Sequence, residues 1–142
     1  MTRRVVLLCG PAGAGKTTAA RASGLRVFDR DDPDWSTDAE FNEAIASLRE
    51  ERDTQAVVIR AGATSSARAK TRRLIGATEV YVVLQPREVL ARRIHHRGRA
   101  DARHTLAALN AWFRSFDRDD GVELFTGWAD DTVALGVIGT VW

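Results

Sequence analysis

The sequence predicts an α/β fold, a parallel sheet of about five strands between two layers of helices. Three observations carry that expectation. Short apolar, β-branched runs alternate along the chain with segments of helical periodicity. The first run, Val5-Val6-Leu7-Leu8-Cys9, is apolar throughout, as a strand covered on both faces must be. It leads directly into Gly10-Pro11-Ala12-Gly13-Ala14-Gly15-Lys16-Thr17, which fits the pattern G-x-x-x-x-G-K-[ST].

The elements follow in order. Arg4 to Cys9 is the first strand, and residues 16 to 23 form the helix after the glycine-rich loop, closed by Gly24. Leu25 to Phe28 is a short second strand. Thr37-Asp38-Ala39-Glu40 is a capping box, with Thr37 as N-cap and Glu40 reaching back, and Phe41, Ile45 and Leu48 then recur at helical spacing. Ala56 to Ile59 is the third strand; Ser65 to Leu74 is a basic helix ended by Gly76. Val80 to Leu84 is the fourth strand. Pro86 suits the first turn of the next helix and Glu88 its positive end; that helix runs to about His96 and breaks at Gly98. Asp101 caps a further helix with the apolar stripe Ala102, Leu106, Leu109, Phe113 and Phe116, which assigns Trp112 and Phe113 to the core. Residues 117 to 131 read as a polar connection and Thr132 to Val141 as a terminal strand.

The bulk numbers bound the answer. A chain of 142 residues suits one domain, residues 1–142, and a hydrophobic fraction of 44% supplies an ordinary core without a staple. The single cysteine, Cys9, lies in an apolar run and reads as a buried thiol. No apolar run approaches the ~20 residues of a membrane span. Met1-Thr2-Arg3-Arg4 precedes too short an apolar run for a signal peptide, so the expected compartment is the cytoplasm, with no membrane partner. Net charge is only +2, yet residues 29 to 53 are mostly acidic, while Lys and Arg far outnumber Asp and Glu from Arg60 to Arg103. A basic half of this kind attracts phosphates, of a nucleotide or of a nucleic acid, or is simply a solvated helix face.

Right-handed crossovers bring the C-terminal ends of parallel strands to one edge. Gly10 to Thr17, Asp29 to Asp32, Arg60 to Ser66 and the residues from Gln85 onward therefore share one cleft. In the loop, glycines let successive N–H groups turn inward onto phosphate oxygens. Lys16 brings positive charge to the β- and γ-phosphates, Thr17 offers its hydroxyl to Mg2+, and the following helix presents its positive end. ATP and Mg2+ are the expected cofactors. The expected nucleotide-binding residues are Gly10, Pro11, Ala12, Gly13, Ala14, Gly15, Lys16, Thr17 and Thr18, with Thr17 on the metal. The expected fold is thus the three-layer P-loop NTPase fold with a helical lid.

A motor or switch ATPase adds an apolar strand ending in an Mg2+-binding Asp. Here the third strand ends in Arg60 and the fourth in Gln85; only the second, Leu25 to Asp29, ends in a carboxylate. That weighs against a motor. Asp29, Asp31, Asp32 and Asp34 crowd the turn after the second strand, where an acceptor hydroxyl needs a base about 3 Å away. Arg92, Arg93, Arg97, Arg99 and Arg103 surround Gly98, and Arg93 and Arg97, four apart, share a helix face. Residues about 92–103 read as a lid whose arginines close over the triphosphate. His95 and His96 lack partners at metal-ligand spacing.

In this order the glycine-rich loop, Arg30-Asp31-Asp32 and Arg93 to Gly98 resemble the kinase domain of phage-type polynucleotide 5'-hydroxyl kinases and, more distantly, zeta-toxin-like kinases, over residues 4 to 116. The resemblance implies that Asp31 is the general base and that Arg97, assisted by Arg93, contacts the γ-phosphate, with Lys16 completing the catalytic set. It implies a nucleic acid acceptor, DNA favoured, at a 5'-hydroxyl end or a hydroxymethylated base. Two departures touch the acceptor side. The family's Asp after the third strand is replaced by Arg60-Ala61-Gly62-Ala63-Thr64, and Pro33 stands where the family has an aromatic residue followed by Arg. The alternatives are a small-molecule kinase acting on a nucleoside, nucleotide or sugar, or a nucleotide-dependent binding module that turns over slowly.

Overall fold

The computed structural model describes residues 2–98 and 100–128. The expected strand at Thr132 to Val141 lies outside these residues, as does Arg99. In chain order the elements are β1 (Arg4–Cys9), α1 (Lys16–Ala22), β2 (Arg26–Asp29), α2 (Asp38–Ala46), a short 3₁₀ turn (Ser47–Glu50), β3 (Gln55–Arg60), α3 (Ser65–Ile75), β4 (Glu79–Val82), α4 (Arg87–Arg97), α5 (Ala102–Ser115) and β5 (Glu123–Leu124). The strands form one parallel sheet in the order β2-β3-β1-β4-β5. Among the described residues no helix is long and apolar enough to cross a membrane.

Both faces of β1 are buried, and its side chains divide by parity. Val5, Leu7 and Cys9 pack with Ala56, Val58, Phe41, Ile45 and Ile75 on the α2–α3 side. Val6 and Leu8 pack with Val57, Ala20, Leu90, Ile94 and Leu109 on the α1–α4–α5 side. This is why the strand reads as an unbroken apolar run. The fold is thus the three-layer α/β arrangement that the alternation of runs implies.

Local signals set the helix ends. Thr37 Oγ1 accepts from Glu40 N–H at 3.1 Å, the N-cap bond the sequence predicts. The returning bond differs: Glu40 Oε2 accepts from the Ser36 N–H at 3.0 Å, one residue beyond the expected partner. Gly76 and Gly98 both take the left-handed conformation that closes α3 and α4. Pro86 is the N-cap of α4 rather than a residue of its first turn, and Asp101 occupies the N-cap of α5 without a side-chain cap bond.

One expectation is corrected. Residues 117 to 131 are not only a connection, because Glu123–Leu124 add a fifth parallel strand beside β4. A strand of two residues has no period for a sequence reading to detect. On α5, Trp112 is more deeply buried than Phe113, and its Nε1–H donates to Ala61 O at 2.8 Å. Trp112 also stacks on Phe116 with ring centroids 4.7 Å apart. α5 is thereby tied to the C-terminal end of β3, beside the loop that follows β1.

Candidate active site

The loop after β1 is shaped by glycines. Gly10, Gly13 and Gly15 adopt φ of 152°, 78° and 99°, values that side chains on L-residues disfavour. A Cβ at Gly10 would also run into the Val83 carbonyl just beyond the end of β4, so this glycine is required twice over. Gly15 is the N-cap of α1, which places Lys16 and Thr17 in the first turn. Lys16 folds back so that Nζ donates to Gly10 O at 2.5 Å. Burial pushes the Lys16 pKa below its ordinary value, and the Asp29 and Asp31 carboxylates pull it back up. Cys9 lies beneath the loop with its thiol pushed up to about 12 by burial, so it is an uncharged core group.

Thr17 Oγ1 donates to Asp29 Oδ2 at 2.8 Å, and Asp29 Oδ1 accepts from Asp31 N–H at 3.0 Å. Asp29 is buried, while Asp31 is exposed. The acidic turn is therefore divided: Asp29 is committed to Thr17, and the Asp31 carboxylate faces open space. β2 does not adjoin β1, since β3 lies between them. The turn after β2 nonetheless reaches α1 through the Thr17–Asp29 bond. Arg30 turns outward, donating to Asp38 Oδ1 at 2.6 Å and so bracing the turn against α2.

Two cavities of about 770 Å³ each meet here. The first is lined by the loop between Gly10 and Thr18, except Pro11 and Ala14, which are buried and line neither cavity, together with Arg93, Arg97, Thr105 and Trp112. The second opens toward α2 and α3 and is lined by Arg30, Asn42, Arg60, Lys70 and Thr71 among others. Lys16, Asp29, Asp31, Ile59 and Ala61 line both. The expected clustering of strand ends thus holds for the residues after β1, β2 and β3. Arg93 and Arg97 come from α4; Arg93 Nη1 donates to Gly13 O at 2.9 Å, linking α4 to the loop. Of the other arginines expected in the lid, Arg92 and Arg103 line neither cavity. Residues 117 to 128 line neither cavity, and Trp128 Nε1–H donates to Ala19 O at 2.8 Å.

A further residue of consequence is Arg68, which the sequence presents only as one cation of a basic helix. It is fully buried and all its guanidinium N–H groups are used: Nε to Asp120 Oδ2 (3.0 Å), Nη1 to Gly62 O (2.9 Å) and Ala63 O (3.1 Å), Nη2 to Asp117 O (2.7 Å) and Asp120 Oδ1 (2.8 Å). Ser65 N–H donates to Asp117 Oδ2 at 3.1 Å and Asp117 N–H to Ala63 O at 3.1 Å. The loop between β3 and α3, which floors the second cavity, is therefore clamped by the segment after α5. A signal for this existed: Arg68 stands seven residues before the buried Ile75, on the same face of α3.

The donor set suits the expected cofactors. A glycine-shaped loop at a helix N-terminus, with a lysine at its base, is a phosphate cradle. The Thr17 hydroxyl beside the Asp29 carboxylate is an all-oxygen pair of the kind Mg2+ takes.

No family model matches the chain, and no curated protein matches it. Solved structures do. A gluconokinase from Sinorhizobium meliloti 1021 is 23% identical, with 86% of this chain and 82% of that one covered and a TM-score of 0.58. A sugar kinase from Janibacter sp. HTCC2649 is 21% identical, with 82% and 79% covered and a TM-score of 0.57. A shikimate kinase from Acinetobacter baumannii, in complex with shikimate, is 17% identical, with 99% and 93% covered and a TM-score of 0.50. The likeness is to P-loop kinases at large, not to polynucleotide kinases specifically, and what it shows is that this chain has their α/β fold.

Proposed function

We propose that the protein is a phosphotransferase that moves the γ-phosphate of ATP to an alcohol group of a small molecule. The observation that carries this reading is the meeting of two cavities at Lys16, Asp29 and Asp31. One cavity has the phosphate loop and the lid arginines; the other has space and polar groups and shares only Lys16 with the loop. A donor and an acceptor bound side by side need this arrangement, whereas a passive nucleotide binder needs only the first cavity. The solved kinases of the same fold that carry sugar kinase, gluconokinase or shikimate kinase in their names support a small acceptor.

In this reading Lys16 and the loop N–H groups hold the triphosphate, and Thr17 and Asp29 hold the Mg2+ that, when bound, neutralises charge on the β- and γ-phosphates. Asp31 accepts the proton of the acceptor hydroxyl. The acceptor oxygen forms its bond to the γ-phosphorus as the bond from that phosphorus to the bridging oxygen breaks, and ADP leaves. Arg97, with Arg93, balances charge on the transferring group. The cytoplasm, where ATP is abundant, is the compartment this activity fits.

A nucleic acid acceptor is the second reading, favoured by the exposed cations Lys70, Arg72, Arg73, Arg92, Arg97 and Arg103. Incubation with γ-labelled ATP and Mg2+, offering sugars, sugar acids, nucleosides, 5'-hydroxyl oligonucleotides and hydroxymethylated DNA in turn, separates the two. Label on a small molecule is expected. Label confined to DNA would replace the first reading with the second, and ATP binding without transfer to any acceptor would sink both.

A further inference from the structure

The second cavity has a charge pattern that its role as an acceptor site does not require. Ala56, Val58 and Arg60 share the face of β3 that meets α2 and α3, so the strand that begins apolar on this face ends in a cation. The Arg60 guanidinium stands over the ring of Phe41, 5.4 Å from its centroid, and Phe41 is fully buried. Among the described residues Arg60 makes no side-chain hydrogen bond or ion pair, and neither does Lys70, which lines the same cavity from α3. The other cations of the lining are committed: Arg30 to Asp38, Arg68 to Asp120 and backbone carbonyls, Lys16 to Gly10 O. The carboxylates of the lining, Asp29 and Asp31, both lie where the two cavities meet; the remainder, with Asn42 and Thr71, has none.

From these observations we infer that the acceptor carries a carboxylate or phosphate besides its hydroxyl, and that Arg60, with Lys70, binds this anion. The inference rests on the kinase reading for the word acceptor, but not for the anion site. An aromatic face holds the guanidinium plane without using its N–H groups, which leaves the fork open to a planar or tetrahedral anion in two-point contact. Arg60 thereby fixes which end of the acceptor enters, and the hydroxyl is directed to Asp31 at the other end. The volume of about 770 Å³ admits a monomeric acid of sugar size. The anion is that of a small molecule; the phosphate backbone of a nucleic acid is the competing source.

The test uses the full chain with ADP and Mg2+ for binding, and with ATP and Mg2+ for turnover. Gluconate, glucose 6-phosphate, neutral glucose and a 5'-hydroxyl oligonucleotide are compared by calorimetry and by ADP release. Binding of an acid at least tenfold tighter than glucose is expected. Arg60→Gln, and more weakly Lys70→Gln, should erase that preference while leaving the KM for ATP within about threefold; unchanged thermal midpoints show that these variants fold. Equal binding of glucose and the acids, or acid binding that survives Arg60→Gln, overturns the proposal. So does binding of the oligonucleotide alone, which would assign the cations to a nucleic acid backbone. Acid binding lost in Arg60→Gln without any transfer upholds the anion site and removes the kinase reading instead.

Discussion

Thr17 and Asp29 are joined by a 2.8 Å hydrogen bond from Oγ1 to Oδ2, which links the first turn of α1 to the end of β2 across the intervening strand β3. That bond separates the roles of two aspartates that the sequence presents as equivalents. Asp29→Asn should raise the Mg2+ concentration for half-maximal turnover by about tenfold or more, the usual loss when a metal site's supporting carboxylate is removed. Asp31→Asn should lower kcat by about 10²–10⁴ at unchanged Mg2+ demand and leave ATP affinity within about tenfold. Magnesium titrations of both variants check this; identical Mg2+ curves would remove the assignment.

Arg93 and Arg97 share one face of α4, yet only Arg93 is tied to the loop, through Gly13 O. Arg97→Ala should therefore act on kcat, with a loss of about 10³-fold, while ATP affinity changes little. Arg93→Ala should raise the KM for ATP as well as lower kcat. Steady-state kinetics with ATP varied separates the two patterns.

Arg68 is buried with its charge met mainly by Asp120. Asp120→Asn leaves that guanidinium with only the more distant Asp117 carboxylate, 3.8 Å away. Breaking a fully buried pair costs about 3–5 kcal/mol; with Asp120 partly exposed, about 2 kcal/mol is expected. The urea midpoint reads this loss. Because Arg68 also holds Gly62 O and Ala63 O, the KM for the acceptor should rise more than the KM for ATP.

Arg4 donates to both carboxylate oxygens of Glu79, at 2.7 and 3.0 Å, and this holds the Glu79 pKa below the ordinary 4.5. A depressed folded value means stabilisation that is complete above 4.5 and is lost as the pH falls through the folded value. Acid denaturation of the wild type should therefore steepen below about pH 4.5 relative to Glu79→Gln, which is less stable at neutral pH but flatter toward acid. Thermal midpoints between pH 3 and 7 test this.

Burial lowers the Lys16 pKa, so the charged ammonium is held at a cost in the ligand-free protein, and that cost declines as the pH rises through the lowered folded value. Lys16→Met should abolish measurable transfer while leaving the ligand-free thermal midpoint equal to or above that of the wild type. A large drop in that midpoint would instead make Lys16 a structural residue of the loop.

The chain's periodicities were sufficient for the order of the strands and helices through α5, because each depends on local pattern: unbroken apolar runs for β1 and β3, an N-cap threonine for α2, terminal glycines for α3 and α4. The phosphate loop was legible for the same reason, since its glycines answer backbone demands within eight residues. β5 was not legible, because two residues carry no period and the strand exists only by pairing with β4. Nor could the sequence rank Asp29 against Asp31. Their difference arises from which one α1 approaches, and that depends on how the sheet is ordered.

The sequence by itself determined a glycine-rich loop closed by Lys16 and Thr17 on a parallel α/β sheet, with carboxylates and arginines at the same sheet edge. Only the tertiary structure decided how they are shared out. Packing of α1 beside the end of β2 gave Asp29 to Thr17 and left Asp31 facing two cavities. Burial of α3 turned Arg68 into a clamp on loops about fifty residues apart in the chain, while Phe41 beneath Arg60 kept that cation on the wall of the second cavity. Such partners are distant in sequence, so neither spacing nor propensity encodes them; they follow from which surfaces the sheet and helices bury together.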